Sequence, residues 1–150
     1  MSAELSANAV QVVPANGSVV FTETPVPCKL GLVYHRDGSG TVRLANRFFR
    51  QNIMNCWRRN SNYLISFHAN IAIPAGGTVE AISLAVAIDG EVDPSSIMTI
   101  TPAAVSEYGN VGAEVIVQVP FLCGCSSVSI RNISTQEINV QNANLVIDIA

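Results

Sequence analysis

Tyr63-Leu64-Ile65-Ser66-Phe67-His68-Ala69-Asn70-Ile71-Ala72-Ile73 decides the fold class. Its odd positions, Tyr63, Ile65, Phe67, Ala69, Ile71 and Ile73, are apolar, and Ser66, His68 and Asn70 stand between them. A side-chain period of two is that of a β-strand with one face in a core and the other in water. The next segment, Thr78 to Ile88, has a large apolar face of Ile82, Leu84, Val86 and Ile88. Its small face is Ala81, Ser83, Ala85 and Ala87, and both faces lack charge. Such a strand is expected to be covered on both sides, by the core and by a neighbouring subunit. The small face is therefore the expected interface between subunits.

The same alternation extends outward. Val111, Ala113, Val115, Val117 and Val119 alternate with Glu114 and Gln118. Val128 and Ile130 alternate with serines and Arg131, and Ile138, Val140, Leu145 and Ile147 close the series. Turn signals separate the runs, among them Asn16-Gly17, Asp37-Gly38, Gly76-Gly77 and Asp89-Gly90. About eight to ten short strands with Gly/Pro turns predict an all-β, two-sheet antiparallel sandwich of jelly-roll type. Residues 1–16 carry only Glu4 as a charge and are expected to form an extended N-terminal arm, with residues 17–150 as the jelly-roll domain. Asn46 to Arg59 lacks alternation and reads as a helical turn or irregular loop.

Composition limits the function classes. The 150 residues are 49% hydrophobic and 13% charged, against about 25% charged in ordinary soluble domains. That excludes a disordered chain and leaves too few charges to coat a lone monomer, so an oligomer is expected. Net charge is −3 with a single lysine, which argues against nucleic acid or an anionic membrane as partner. No apolar run reaches the roughly 20 residues of a spanning helix, and Met1 to Ala9 has no secretory pattern. Synthesis in a cytosol is expected, with Cys28, Cys56, Cys123 and Cys125 as thiols.

No residue set points to catalysis, a cofactor or a metal. His68 reads as a surface strand histidine, and His35 sits beside a Gly-rich turn. Cys123-Gly124-Cys125 lacks zinc-ligand spacing, and Asp89, Glu91 and Asp93 lack the spacing of a calcium loop. Six of the eight basic residues lie between Arg36 and Arg59, with Phe48, Phe49 and Trp57 among them. Arginine and aromatic side chains are favoured at protein interfaces. Arg47, Phe48, Phe49, Trp57, Arg58 and Arg59 are thus the expected partner contact, with Glu80, Glu107 or Glu114 as acids to meet it.

One ordered series carries a resemblance. It runs through Val26-Pro27-Cys28, Tyr34-His35-Arg36-Asp37-Gly38-Ser39-Gly40, Tyr63-x-x-Ser66-Phe67-x-Ala69-Asn70, Ala87-Ile88-Asp89-Gly90-Glu91, Thr101-Pro102-Ala103-Ala104 and Val140-Gln141-Asn142-Ala143-Asn144. The series resembles small proteins encoded by phages and prophages of gut Firmicutes, over about residues 18–148. In strand pattern these are similar to C1q/tumour-necrosis-factor-like jelly rolls, which form tight trimers. The resemblance implies a homotrimer on the virion, most specifically a capsid decoration protein or head fibre. Attachment to the major capsid protein or another virion protein is expected through the N-terminal arm. The alternative is a tail or baseplate tip that binds a host-surface glycan or protein, with exposed aromatics such as Tyr108 and Trp57. The resemblance carries no catalytic residue.

Overall fold

The computed structural model describes residues 2–28, 31–48, 59–121 and 125–149. Among these residues twelve strands run β1 (Ser2–Ala7), β2 (Gln11–Val13), β3 (Glu23–Val26), β4 (Val33–His35), β5 (Thr41–Ala45), β6 (Ser61–Ala72), β7 (Ile82–Ile88), β8 (Glu91–Val92), β9 (Met98–Ile100), β10 (Gly109–Val119), β11 (Cys125–Asn132) and β12 (Ile138–Ile149). They form two antiparallel sheets. The first has the order β10-β6-β12-β1-β3, with β2 beside the start of β12. The second has the order β4-β5-β11-β7-β8, with β9 also against β7. From β5 onward the chain crosses repeatedly between the sheets, as in a jelly-roll sandwich.

The alternation in β6 does what its pattern predicts. Tyr63, Ile65, Phe67, Ala69 and Ile71 are buried in one core cluster with Leu84, Val86, Val128 and Ile130 of the opposing sheet. The Tyr63 hydroxyl reaches across the sandwich and donates to the carbonyl of Ala45 on β5. Burial pushes the Tyr63 phenol up to about 12, helped by Cys28 and opposed by Arg47.

Strand β12 changes phase along its length. Ile138 and Val140 face the core at even positions, whereas Ala143, Leu145 and Ile147 do so at odd ones. The switch falls at Asn142, whose φ of 52° breaks the register with β6 between Gln141 and Asn144. One extra residue returns the second half of the strand to the core face.

Two expectations are corrected. Within the expected arm, the described residues 2–13 are not free. β1 lies between β12 and β3, with Ser2 opposite Asp148 and Ala7 opposite Ala143. Ala3, Leu5 and Ala7 are buried, and β2 pairs Val13 with Ile138. The alternation of Ala3, Leu5 and Ala7 is enough for a strand whose neighbours supply the bulk. The small face of β7 is also not an open contact. Ala85 and Ala87 are fully buried within one chain. Their methyl groups lie between longer cross-strand partners, Arg131 opposite Ala85 and Val92 opposite Ala87. Ser83 bonds Thr99 at 2.7 Å, and only Ala81 at the end of the row is exposed.

The acids of the β7–β8 region have structural work. Asp89 (φ 52°) and Gly90 (φ 86°) form a two-residue hairpin turn of the left-handed kind that Asp-Gly favours. Asp89 accepts from the Ser127 amide at 2.9 Å, and Asp93 caps the 3-10 turn Pro94–Ser96 by accepting from the Ser95 amide at 3.0 Å.

Two outcomes follow from this architecture. Leu5→Ala is expected to cost about 2–5 kcal/mol, and deletion of residues 2–13 to abolish the cooperative transition, both read by urea unfolding. A free arm would leave both curves unchanged. The second concerns alkali. The folded chain prefers the neutral Tyr63 phenol, whereas the unfolded chain ionises it from pH 10.0. Tyr63's contribution is therefore intact below pH 10.0 and lost as pH rises to about 12. Between those limits the urea midpoint of the wild type should fall further than that of Tyr63→Phe.

Candidate interaction face

The outward face of the first sheet collects the even positions of β6 and β10 and the out-facing positions of β12 and β1. Polar side chains there are bonded to one another across the strands. Asn110 Nδ2 donates to Asn70 Oδ1 at 3.1 Å, Ser66 Oγ to Glu114 Oε1 at 3.3 Å, and Asn144 Nδ2 to Glu4 Oε1 at 2.7 Å. These groups already have partners within the chain, so covering the face leaves fewer of them unpaired. Exposed His68 stands opposite Gly112 and Asn144.

An apolar island interrupts this polar ladder. Ile116 is 65% exposed and lies directly opposite Leu64, which is 37% exposed. Val146, also 37% exposed, pairs with Ser66 and is the diagonal neighbour of Leu64. Single exposed apolar residues are ordinary, but three in register on three adjacent strands form a surface that gains by being covered. The charges on the face are Glu4, Glu114 and Asp148, and β1, β6, β10 and β12 contain no lysine or arginine.

Arg47, Phe48 and Arg59, three of the arginine and aromatic residues read from the sequence, cluster at the end of the sheet nearest this island. Arg47 Cζ lies 4.7 Å from the centroid of the Phe48 ring, and Arg59 Cζ 5.6 Å from it. Each such cation–π contact contributes about 0.5–1 kcal/mol at an exposed position. Buried Asn46 anchors the cluster: its Nδ2 donates to the carbonyls of Arg59 and Val119, both at 2.9 Å, and its Oδ1 accepts from the Phe48 amide at 2.8 Å. The Arg47 amide donates to Ser61 Oγ at 2.8 Å. Ser61 and Val119 are paired ends of β6 and β10, three positions from Leu64 and Ile116 respectively, so cluster and island are roughly 10 Å apart along the strands. Phe49, Trp57 and Arg58 lie outside the described residues. The acids proposed to meet the arginines have other partners: Glu80 accepts from Thr135 at 2.6 Å, Glu107 from the Ala103 amide at 3.2 Å, and Glu114 from Ser66.

His35 has a local structural task. Its side chain is 2% exposed, with Nε2 3.0 Å from the Ser39 carbonyl and Nδ1 3.5 Å from Thr24 Oγ1. Thr24 in turn donates to Asp37 at 3.0 Å, so the group fastens β3 to the β4–β5 hairpin. Among the described residues, no group of three or more His, Cys, Asp or Glu side chains could hold a metal ion. Cys125 is exposed and Cys28 half-buried, while Cys56 and Cys123 lie outside the described residues.

No protein-family model matches the sequence, and none of the curated proteins matches it. Solved structures do match in fold. The structure of Eiger TNF from S. frugiperda superposes with a TM-score of 0.66 at 8% identity, covering 100% of this chain and 92% of that one. Murine APRIL at pH 5.0 gives 0.63 at 9% identity, covering 98% of each chain. At these identities the likeness concerns the fold alone, and on that ground the chain has a TNF-like jelly roll.

Proposed function

We propose that the chain is a homotrimeric structural protein of a phage virion, acting as a capsid decoration protein or head fibre. The observation that carries the assembly is the Ile116, Leu64 and Val146 island, set in a face whose polar groups are largely bonded to one another. A low charged share of 13% fits extensive subunit burial. The resemblance of residues 18–148 to phage-encoded proteins supports the virion assignment.

The charges favour a head-to-tail contact over a self-complementary one. A two-fold contact of this face with itself would oppose Glu4, Glu114 and Asp148 with the same acids. In a closed three-fold ring each subunit offers its acidic, island-bearing face to a different surface of the next. Attachment to the particle falls to the surface of the jelly roll rather than to an N-terminal arm, because β1 is occupied within its own sheet.

Sedimentation equilibrium of the wild type should give three times the chain mass at micromolar concentration. Ile116→Glu should give a monomer with an unchanged far-ultraviolet spectrum, since the side chain is already in water. A wild-type monomer, or an Ile116→Glu trimer of equal strength, sinks the assembly. The virion role is checked by immunogold labelling of particles purified from the host strain that carries the coding sequence. Dense labelling on heads is expected, and particles free of label count against it.

A further inference from the structure

The loop between β9 and β10 encloses a cleft of about 310 Å³ that takes no part in the interaction face. Ile100, Thr101, Pro102, Glu107, Tyr108 and Gly109 line it. Its position separates it from the island. Gly109 opens β10, and Ile116 stands seven residues along the same strand, roughly 23 Å away at about 3.3 Å per residue.

The cleft is built before any ligand arrives. The Ser106 amide donates to the Ile73 carbonyl at 2.8 Å and fixes the loop to the end of the first sheet. Ser106 itself holds a φ of 61°, and Glu107 Oε2 accepts from the Ala103 amide at 3.2 Å, closing the loop on itself. Pro102 is buried. A side chain at Gly109 would stand 2.9 Å from Ile100 Cδ1, so glycine lets strand and loop approach at the floor. A loop fixed in this way loses little conformational entropy on binding.

The lining selects a ligand class. Tyr108 is 40% exposed and offers an aromatic surface to apolar C–H groups. The Glu107 carboxylate keeps Oε1 for hydroxyl donors, and hydrogen bonds to an ionised acceptor are roughly twice as strong as neutral ones. Thr101 adds a hydroxyl that both donates and accepts. None of the lining residues is basic, so an anionic ligand would meet Glu107 without a counter-charge. A ring with one apolar side and several hydroxyls satisfies all three groups. We propose that this cleft is a binding site for a neutral saccharide unit. It does not use the Ile116 island, which stands seven residues away along β10.

The test is a titration of the full chain, followed by amide and tyrosine-ring NMR, with methyl glycosides of glucose, galactose and N-acetylglucosamine. Each is taken to about 50 mM, enough to load a site with a Kd of a few millimolar. At least one should shift resonances of Thr101, Glu107 and Tyr108. Tyr108→Ala should weaken it by about tenfold or more, the equivalent of 1.4 kcal/mol. Glu107→Gln keeps an oxygen for the Ala103 amide, so it should fold normally and still bind more weakly. Ile116→Glu should bind as the wild type does, whatever its oligomeric state. Methyl glucuronide, carrying a carboxylate, should bind more weakly than its neutral counterpart. The proposal is overturned if no neutral glycoside shifts these resonances, if the shifts map elsewhere, if Tyr108→Ala and Glu107→Gln bind undiminished, or if the glucuronide or a choline probe binds better.

Discussion

Everything in the first sheet depends on β12 serving two neighbours while keeping one face in the core. It pairs with β6 on one side and with β1 and β2 on the other. A twelve-residue strand with no interruption would send either Ile138 and Val140 or Leu145 and Ile147 into solvent. The left-handed turn at Asn142 removes that conflict with one residue. Asparagine tolerates this conformation better than a β-branched residue would. The Asn142 amide is not wasted there, because it donates to the Asn8 carbonyl at 3.3 Å, in the link between β1 and β2.

The loops are held by buried amides in the same way that the sheets are held by apolar packing. Asn132 is fully buried, its Nδ2 placed against the carbonyls of Val13 at 3.0 Å, Pro14 at 3.2 Å and Gln136 at 3.0 Å, while its Oδ1 accepts from the Ser134 amide at 2.9 Å. It joins β2, the end of β11 and the β11–β12 turn. Asn46 does the equivalent at the other end, between β5, β6 and β10. Buried Ser96 accepts from the Val86 amide at 2.8 Å and fastens the 3-10 turn to β7. Leaving such groups unpaired would cost about 1–3 kcal/mol each, which makes these few side chains strict in identity.

β6 and β10 were legible because their alternation covers more than six positions, and the second half of β12 follows it over a shorter stretch. β1 was not read as a strand, although Ala3, Leu5 and Ala7 alternate, because two of the three are methyl groups and the stretch is short. The burial of Ala85 and Ala87 was misassigned for a different reason. Lack of charge showed that the row is covered, but only the fold shows that Ala85 and Ala87 are buried within one chain, beside Arg131 and Val92 on the neighbouring strands. The interaction face needs the register as well. Ile116 between Val115 and Val117 breaks the polar parity of β10, which is a signal visible in one strand. That Leu64 stands opposite it and Val146 diagonal to it is tertiary information. The grouping of Arg47 and Arg59 around Phe48 was legible from composition alone, since charge and aromatic content cluster in sequence as they do in space.

The place of β1 bears on how the molecule is made. Ser2 pairs with Asp148 and Leu5 with Leu145, so the earliest strand described finds its neighbour only when the last has been synthesised. Closing so long a loop is entropically costly and slow, and contacts of this kind delay folding in β-sandwiches. Until then β6 and β10 are present without β12, and their apolar inner faces are open to other chains. The first sheet is therefore completed only once β12 has been made, and many copies made at once would depend on how quickly β12 finds its place between β1 and β6.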